Sequence, residues 1–96
     1  MKINAIMIKP QDNVATALHD LKGKESVAVG VGEIQRQLRV TEDIPYGHKF
    51  AVINIEKGDN IIKYGEIIGR ATQFIAQGGH AHIHNIEGLR GRGDLE

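Results

Sequence analysis

The chain contains no cysteine. A disulfide scaffold, a thiol nucleophile and a cysteine-held iron–sulfur cluster are therefore excluded within it, and a cytoplasmic setting is the default expectation. Tryptophan is absent as well, and Tyr46, Phe50, Tyr64 and Phe74 are the whole aromatic complement. So few rings offer poor stacking platforms for nucleobases or sugars and leave an aliphatic core. A surplus of one charge is also missing. The 12 basic and 12 acidic residues cancel to a formal charge of zero, which argues against nucleic-acid binding by counterion release. Long apolar runs do not occur. The stretch from Met1 to Lys9 is broken by Asn4 and ended by Pro10, too short for a signal-peptide core with its cleavage site and far too short to span a bilayer. A soluble protein without membrane contact is expected.

What is present is a single small domain's worth of chain. Ninety-six residues, 41% of them apolar, suffice for one core and not for two domains. Glycine punctuates it in a loose repeat. Leu21-Lys22-Gly23 before Val27, Ile44-Pro45-Tyr46-Gly47 before Phe50, Ile55-Glu56-Lys57-Gly58 before Ile61, and Ile75-Ala76-Gln77-Gly78 before Ala81 share a scheme. In each, an aliphatic anchor leads through a short polar link to a glycine and a new apolar run; the first link is one residue shorter. Such glycines supply positive φ at turns, so the repeat predicts many short strands meeting at sharp bends.

Strands are expected at Ile3 to Ile8, Ser26 to Val31, Glu33 to Val40, Lys49 to Ile53, Ile67 to Ala71 and His80 to Asn85. In the fourth, Phe50 and Val52 face one side and Ala51 and Ile53 the other, an apolar run suited to burial on both faces. One short helix is expected where Asp12 or Asn13 caps a stripe of Val14, Ala15, Ala17, Leu18 and Leu21. The stretch from Thr72 to Gln77 reads as a turn-rich link. The fold class is mainly β with one short helix.

The chemistry concentrates near the C-terminal end. His80, His82 and His84 alternate with Ala81 and Ile83 and precede Asn85. Alternate residues of a strand share a face, so this ribbon presents a row of imidazoles, which suit both divalent metals and proton transfer near neutral pH. Neighbours in the row stand about 6.5 to 7 Å apart, whereas His80 and His84 stand about 13 Å apart, so at most two of them converge on one ion. A third ligand must come from elsewhere, and His48 is the local candidate. The same spacing also suits a solvated or interface face of a half-buried strand, and both readings stand at this point.

Two motifs carry no function. Gly30-Val31-Gly32 lacks the third glycine and following helix of a dinucleotide fingerprint and reads as a hairpin turn. Arg92-Gly93-Asp94 spells an adhesion tripeptide in a chain with no secretion signal, where coincidence explains it. The domain is expected to occupy residues 1–87, with 88–96 an exposed tail rich in glycine and arginine.

Asp12-Asn13-Val14-Ala15, Gly47-His48-Lys49-Phe50-Ala51, Ile62-Lys63-Tyr64-Gly65 with Ile68-Gly69, and the His80-to-Asn85 ribbon together resemble the small N-terminal domain of the altronate dehydratases. The segments cover most of the chain in the family's order, and the tail from Gly88 to Leu95 resembles the segment after this domain in stand-alone members. The domain is similar to SAF domains, whose β-clip fold also occurs in type III antifreeze proteins and in the C-terminal part of sialic acid synthases.

The resemblance implies part of an enzyme. In the family this domain is fused to a much larger one or encoded as a small subunit, so a large dehydratase subunit is the expected partner. The family includes altronate and galactarate dehydratases, dependent on a divalent metal, usually iron(II) or manganese(II), and the two-subunit sulfolactate sulfo-lyases. All eliminate a group β to a carboxylate in a 2-hydroxy acid, and for altronate the product is 2-dehydro-3-deoxy-D-gluconate. The implied roles are metal ligation by His80, His82 and His84 in a site shared with the large subunit, acid–base work by His48 and His82, and substrate contact by Lys49, Lys63, Tyr64 and Asn85. Supporting or subunit contacts are the alternative for His84 and Asn85. For Lys49 and Lys63 the plain alternative is a solvated strand-edge lysine, and for Tyr64 and Phe50 it is core packing, which Phe50 is expected to follow. A sulfo-lyase small subunit and a carbohydrate-binding module without catalytic duty are the rival functions. Exposed strand edges also make a homodimer an expectation.

Overall fold

Segments this short bury too little surface to stand alone, and pairing gathers them into two sheets. In the computed structural model, which describes residues 3–88, the strands are β1 (Ala5–Met7), β2 (Val14–Ala17), β3 (Ser26–Val31), β4 (Ile34–Arg39), β5 (Lys49–Ala51), β6 (Asn60–Lys63), β7 (Glu66–Ala71), β8 (His80–Ala81) and β9 (Ile86–Gly88). One sheet runs β4-β3-β1-β2-β5-β8 and the other β6-β7-β9. The β1–β3 pair is parallel, with Ala5 beside Val29, and all other strand pairs are antiparallel. The architecture is the all-β one expected of an SAF domain. Among the described residues no helix is long and apolar enough to cross a membrane. The expected tail lies, from residue 89 on, outside the described residues, and the Arg92-Gly93-Asp94 tripeptide with it.

The expected helix from Asp12 to Leu21 is instead strand β2. Its apolar stripe has another cause. β2 lies between β1 and β5 and forms part of the wall between two cores. Ala15 and Ala17 face the larger core with Leu21, Phe50 and Val52, while Val14 faces the smaller one with Ala51, Ile55, Ile61 and Ala81. A strand buried on both faces loses its polar alternation and looks helical in sequence. The same wall explains β5, where Phe50 and Val52 join one core and Ala51 the other; Ile53, expected inside, is 49% exposed because the strand ends at Ala51. Strand β6 was hidden for a related reason. It is a short strand with a bulge between Ile61 and Ile62, which interrupts the two-residue period.

The glycine repeat forms four matching turns. In each, a backbone N–H closes on the carbonyl three residues back: Glu25 to Lys22, His48 to Pro45, Asp59 to Glu56 and Gly79 to Ala76. The aliphatic anchors pair off, Leu21 with Ile44 and Ile55 with Ile75, each by two reciprocal hydrogen bonds. Gly47, Gly58 and Gly78 hold the positive-φ position, and Gly78 also approaches the Arg39 carbonyl so closely that a Cβ would overlap it. In the first turn that position belongs to Lys24, at φ 73°, and not to Gly23. A left-handed conformation is unfavourable for a residue with a Cβ, partly offset by the entropy of an added glycine. Lys24→Gly is therefore expected to stabilise the domain by up to about 1 kcal/mol in urea unfolding.

Asp12 and Asn13 clasp the β6–β7 hairpin to the β1–β2 loop. The Asp12 carboxylate accepts backbone N–H bonds from Ile8, Lys9 and Tyr64 at 3.1 Å each and from Gly65 at 2.8 Å. Asn13 Oδ1 accepts from Ile62 N–H, and its Nδ2 donates to the Asn60 carbonyl, both at 2.8 Å. Tyr64 and Gly65 both have positive φ, 61° and 72°, the geometry of a tight two-residue hairpin turn. Burial raises the Asp12 pKa, but the bonds from Gly65, Lys9, Tyr64 and Ile8 outweigh it and hold the carboxyl below its ordinary value.

Candidate functional site

β5 and β8 pair with Lys49 opposite Ala81 and Phe50 opposite His80. One further step of that register sets His48 across from His82, and their rings stack with centroids 4.0 Å apart. His80 is the diagonal neighbour of His48. Its ring centre lies 5.1 Å away, and His48 Nδ1 is 2.9 Å from His80 Nε2, one nitrogen donating and the other accepting. One nitrogen from each of His48, His80 and His82 lies within 4.8 Å of the others, and all three residues are half-buried.

The straight ribbon from His80 to Asn85 does not form; the strand ends at Ala81. Asn85 is the cause. Its Oδ1 accepts from His82 N–H at 2.9 Å, its Nδ2 donates to the His80 carbonyl at 2.8 Å, and the N–H groups of Asn85 and Ile86 close on the His82 carbonyl. The resulting turn folds His84 back, so its ring centre is 5.1 Å from that of His80, where a straight ribbon would hold the two residues about 13 Å apart. His84 stands beside the three-histidine group without joining it, and His48 supplies the third nitrogen of the group. Asn85, expected at the substrate, is buried, and its amide braces the turn that aims His82.

Burial, then the neighbouring His84 and His48, hold His80 below the ordinary imidazole pKa, against the opposing pull of Glu42. Burial followed by His48, Lys49 and His84 does the same for His82. Both imidazoles therefore favour the neutral form, with a free lone pair, at neutral pH. Neutral imidazoles suit divalent iron or zinc, and three of them leave coordination positions open for substrate or a partner's ligand. The donor set fits a divalent ion.

Lys49 borders the group. Burial and then the Lys63 charge lower its pKa, so the two ammonium groups lie within electrostatic reach of each other. Lys63 Nζ sits 4.9 Å from the centre of the Tyr64 ring. Tyr64 itself is 54% exposed on the β6–β7 turn. Phe50 is fully buried, as expected. Glu42 is the residue sequence reasoning missed. Its Oε2 accepts the His80 N–H at 3.1 Å across a separation of 38 residues, and no local pattern announces it. His19, the fifth histidine, serves structure: Asn4 Nδ2 lies 3.0 Å from its Nε2, and its Nδ1 is 2.9 Å from the Asp20 carbonyl.

Known proteins share this chain's pattern. The altronate/galactarate dehydratase SAF domain family matches residues 3–89. The altronate dehydratases of Bacillus subtilis (strain 168) and Escherichia coli (strain K12) are 46% and 45% identical over 83 and 80 residues. Those matches take in 85% and 83% of this chain but 16% and 15% of the relatives, so the chain spans only a small part of their length. The (2R)-sulfolactate sulfo-lyase subunit alpha of Chromohalobacter salexigens is 43% identical over 54 residues, 56% of this chain and 57% of that protein. With the family match running through every described strand, the chain belongs to the altronate/galactarate dehydratase SAF domain family.

Proposed function

We propose that this chain is the SAF part of a metal-dependent sugar-acid dehydratase, acting on D-altronate together with a larger dehydratase subunit. The observation that carries the reading is the convergence of His48, His80 and His82 beside Lys49, in a chain 46% identical to an altronate dehydratase. The reaction removes the proton from C2 and hydroxide from C3, and the resulting enol takes a proton at C3 to become 2-dehydro-3-deoxy-D-gluconate. A proton next to a carboxylate is weakly acidic, so the developing enediolate needs positive charge near it. A divalent ion, iron(II) or manganese(II), held by His48, His80 and His82 would supply a Lewis acid for that charge.

The chain's own residues do the rest of the positioning. Lys49 meets the substrate carboxylate as a point charge, with Lys63 adding positive potential from beside it. Tyr64 supports the Lys63 ammonium with its ring face. Asn85 keeps His82 aimed across at His48. His84, next to His80 and exposed, is placed to pass a proton between the site and solvent. The remaining coordination positions and the second catalytic partner for the leaving hydroxide come from the large subunit.

A second reading has its own support. The sulfolactate sulfo-lyase relatives that match this chain are themselves subunits, one of them matched over 81% of its length at 43% identity. Sulfite would then leave in place of hydroxide. The experiment mixes this chain with the large dehydratase chain of its organism and ferrous iron under anaerobic conditions, and assays 2-keto-3-deoxy acid from altronate. Product only when both chains are present is the expected result. Sulfite from sulfolactate would select the sulfo-lyase reading, and no product from altronate, galactarate or sulfolactate would leave a binding module.

A further inference from the structure

The turn that brings the imidazoles together also pushes one apolar side chain outward. Ile83 is 84% exposed, the highest value among the large exposed apolar side chains of the described residues. Such a residue at a turn tip is ordinarily polar. It does not swing freely on a loose loop, because both ends of its turn are cross-braced by Asn85 and the His82 carbonyl. Behind it lies an open pocket of about 230 Å3, walled by Ile68, Ile83 and Ile86, with Lys49 and His82 also lining it. A knob and an adjoining apolar hollow thus sit on the rim of the candidate metal site.

We propose that this turn is the docking element through which the domain seats on the large dehydratase subunit. Ile83 enters an apolar socket of that subunit, and an apolar side chain of the subunit fills the outer part of the hollow between Ile83, Ile68 and Ile86. The inference rests on the two-part dehydratase reading and names its contact surface. The choice of occupant has two supports. The altronate dehydratase relatives devote only 16% and 15% of their length to the region matching this chain, so a domain of this kind works beside a much larger body. His82 of the three-histidine group lines this hollow, so a body seated on Ile83 reaches the edge of that group, excludes water there and brings its own ligands to the open positions. A pre-braced knob loses little conformational freedom on docking, as an interface anchor should. A second apolar surface, around Ile6, Leu18 and Ile34, is lined by none of the imidazoles and serves as the control.

The test compares Ile83→Asp, Ile83→Ala and Ile34→Asp with the unaltered chain by calorimetric titration of the separately purified large dehydratase chain from the same organism. Each variant is also titrated with Mn(II). The expected result is that Ile83→Asp weakens association by roughly 30-fold or more and Ile83→Ala by less, while Mn(II) affinity stays the same and Ile34→Asp binds normally. Retained Mn(II) affinity shows that the turn still holds its shape. Association unchanged in Ile83→Asp overturns the docking surface and leaves the two-part reading standing. Absence of association with the unaltered chain overturns both. Loss of self-association in Ile83→Asp, with the large chain bound as before, would assign the knob to a second copy and overturn the proposal.

Discussion

Substituting His80 by alanine is expected to weaken Mn(II) binding to this domain by at least roughly 100-fold, because on the proposed ligation it removes a direct ligand, a larger loss than that of a supporting partner. His82→Ala and His48→Ala are expected to do the same, since the three nitrogens form one group within 4.8 Å. His84→Ala should change affinity far less, because His84 packs on His80 from outside the group. Anaerobic calorimetry with Mn(II), and separately with Fe(II), measures all four. A loss as large in His84→Ala as in His48→Ala would return the third ligand to the ribbon. The pH dependence has a definite sign. Metal binds the neutral imidazole, and burial with neighbouring charge lowers the pKa of His80 and His82. Proton competition should therefore set in below the pH at which an ordinary histidine would lose metal, with affinity falling as pH drops further.

Asp12→Ala is expected to destabilise the domain by about 4 kcal/mol, read by urea unfolding, because it orphans four backbone N–H groups in one step. Asp12 is 4% exposed, and its carboxylate is the acceptor for Ile8, Lys9, Tyr64 and Gly65. Asp12→Asn should recover only part of the loss, since three donors meet Oδ2 and one meets Oδ1, so the asparagine NH2 faces at least one N–H in either orientation. A shift below about 1 kcal/mol for Asp12→Ala would mean that water satisfies the loop amides as well as the carboxylate does. The folded-state pKa is depressed below the ordinary value. The Asp12 contribution is thus fully present above the unfolded carboxylate pKa and is lost as pH falls through the folded one. Acid unfolding measured in parallel should be shallower in Asp12→Ala than in the unaltered chain.

The family-like motif around Asp12 illustrates how resemblance and role diverge. Asp12-Asn13 and Tyr64-Gly65 are among the residues that carry the resemblance, and in the fold Asp12 accepts from Tyr64 and Gly65 while Asn13 bonds Ile62 and Asn60, a clasp between the two segments. Their job is to hold the β6–β7 hairpin against the loop before β2. The motif containing His48 and the segment from His80 to Asn85 form the candidate site. Nothing in a linear pattern separates the two kinds of motif, because a buried aspartate capping four amides and an aspartate contacting substrate look alike in sequence.

Local physics made much of this protein legible in its sequence. The β3–β4 hairpin followed from the Gly30-Val31-Gly32 turn between two strand-like runs, the turn repeat from glycines that tolerate positive φ, and the start of β8 at His80 from the alternation of histidines with apolar residues. Each depends on residues a few positions apart. The rest needed long-range contacts. β2 passed for a helix because its burial on two faces comes from neighbours that only the sheet supplies. His84 left the expected row because Asn85 bends the chain back. His48 joined His80 and His82, and Glu42 reached the His80 amide, because β5 pairs with β8 in one register and not the next. A shift of that register by one residue would turn His48 to the other face. Residue identity and spacing were enough to say which side chains could do chemistry here and that strands would build the fold. Which imidazoles meet depends on strand pairing across more than thirty residues, a separation over which no local propensity acts, so it is a property of the folded chain alone.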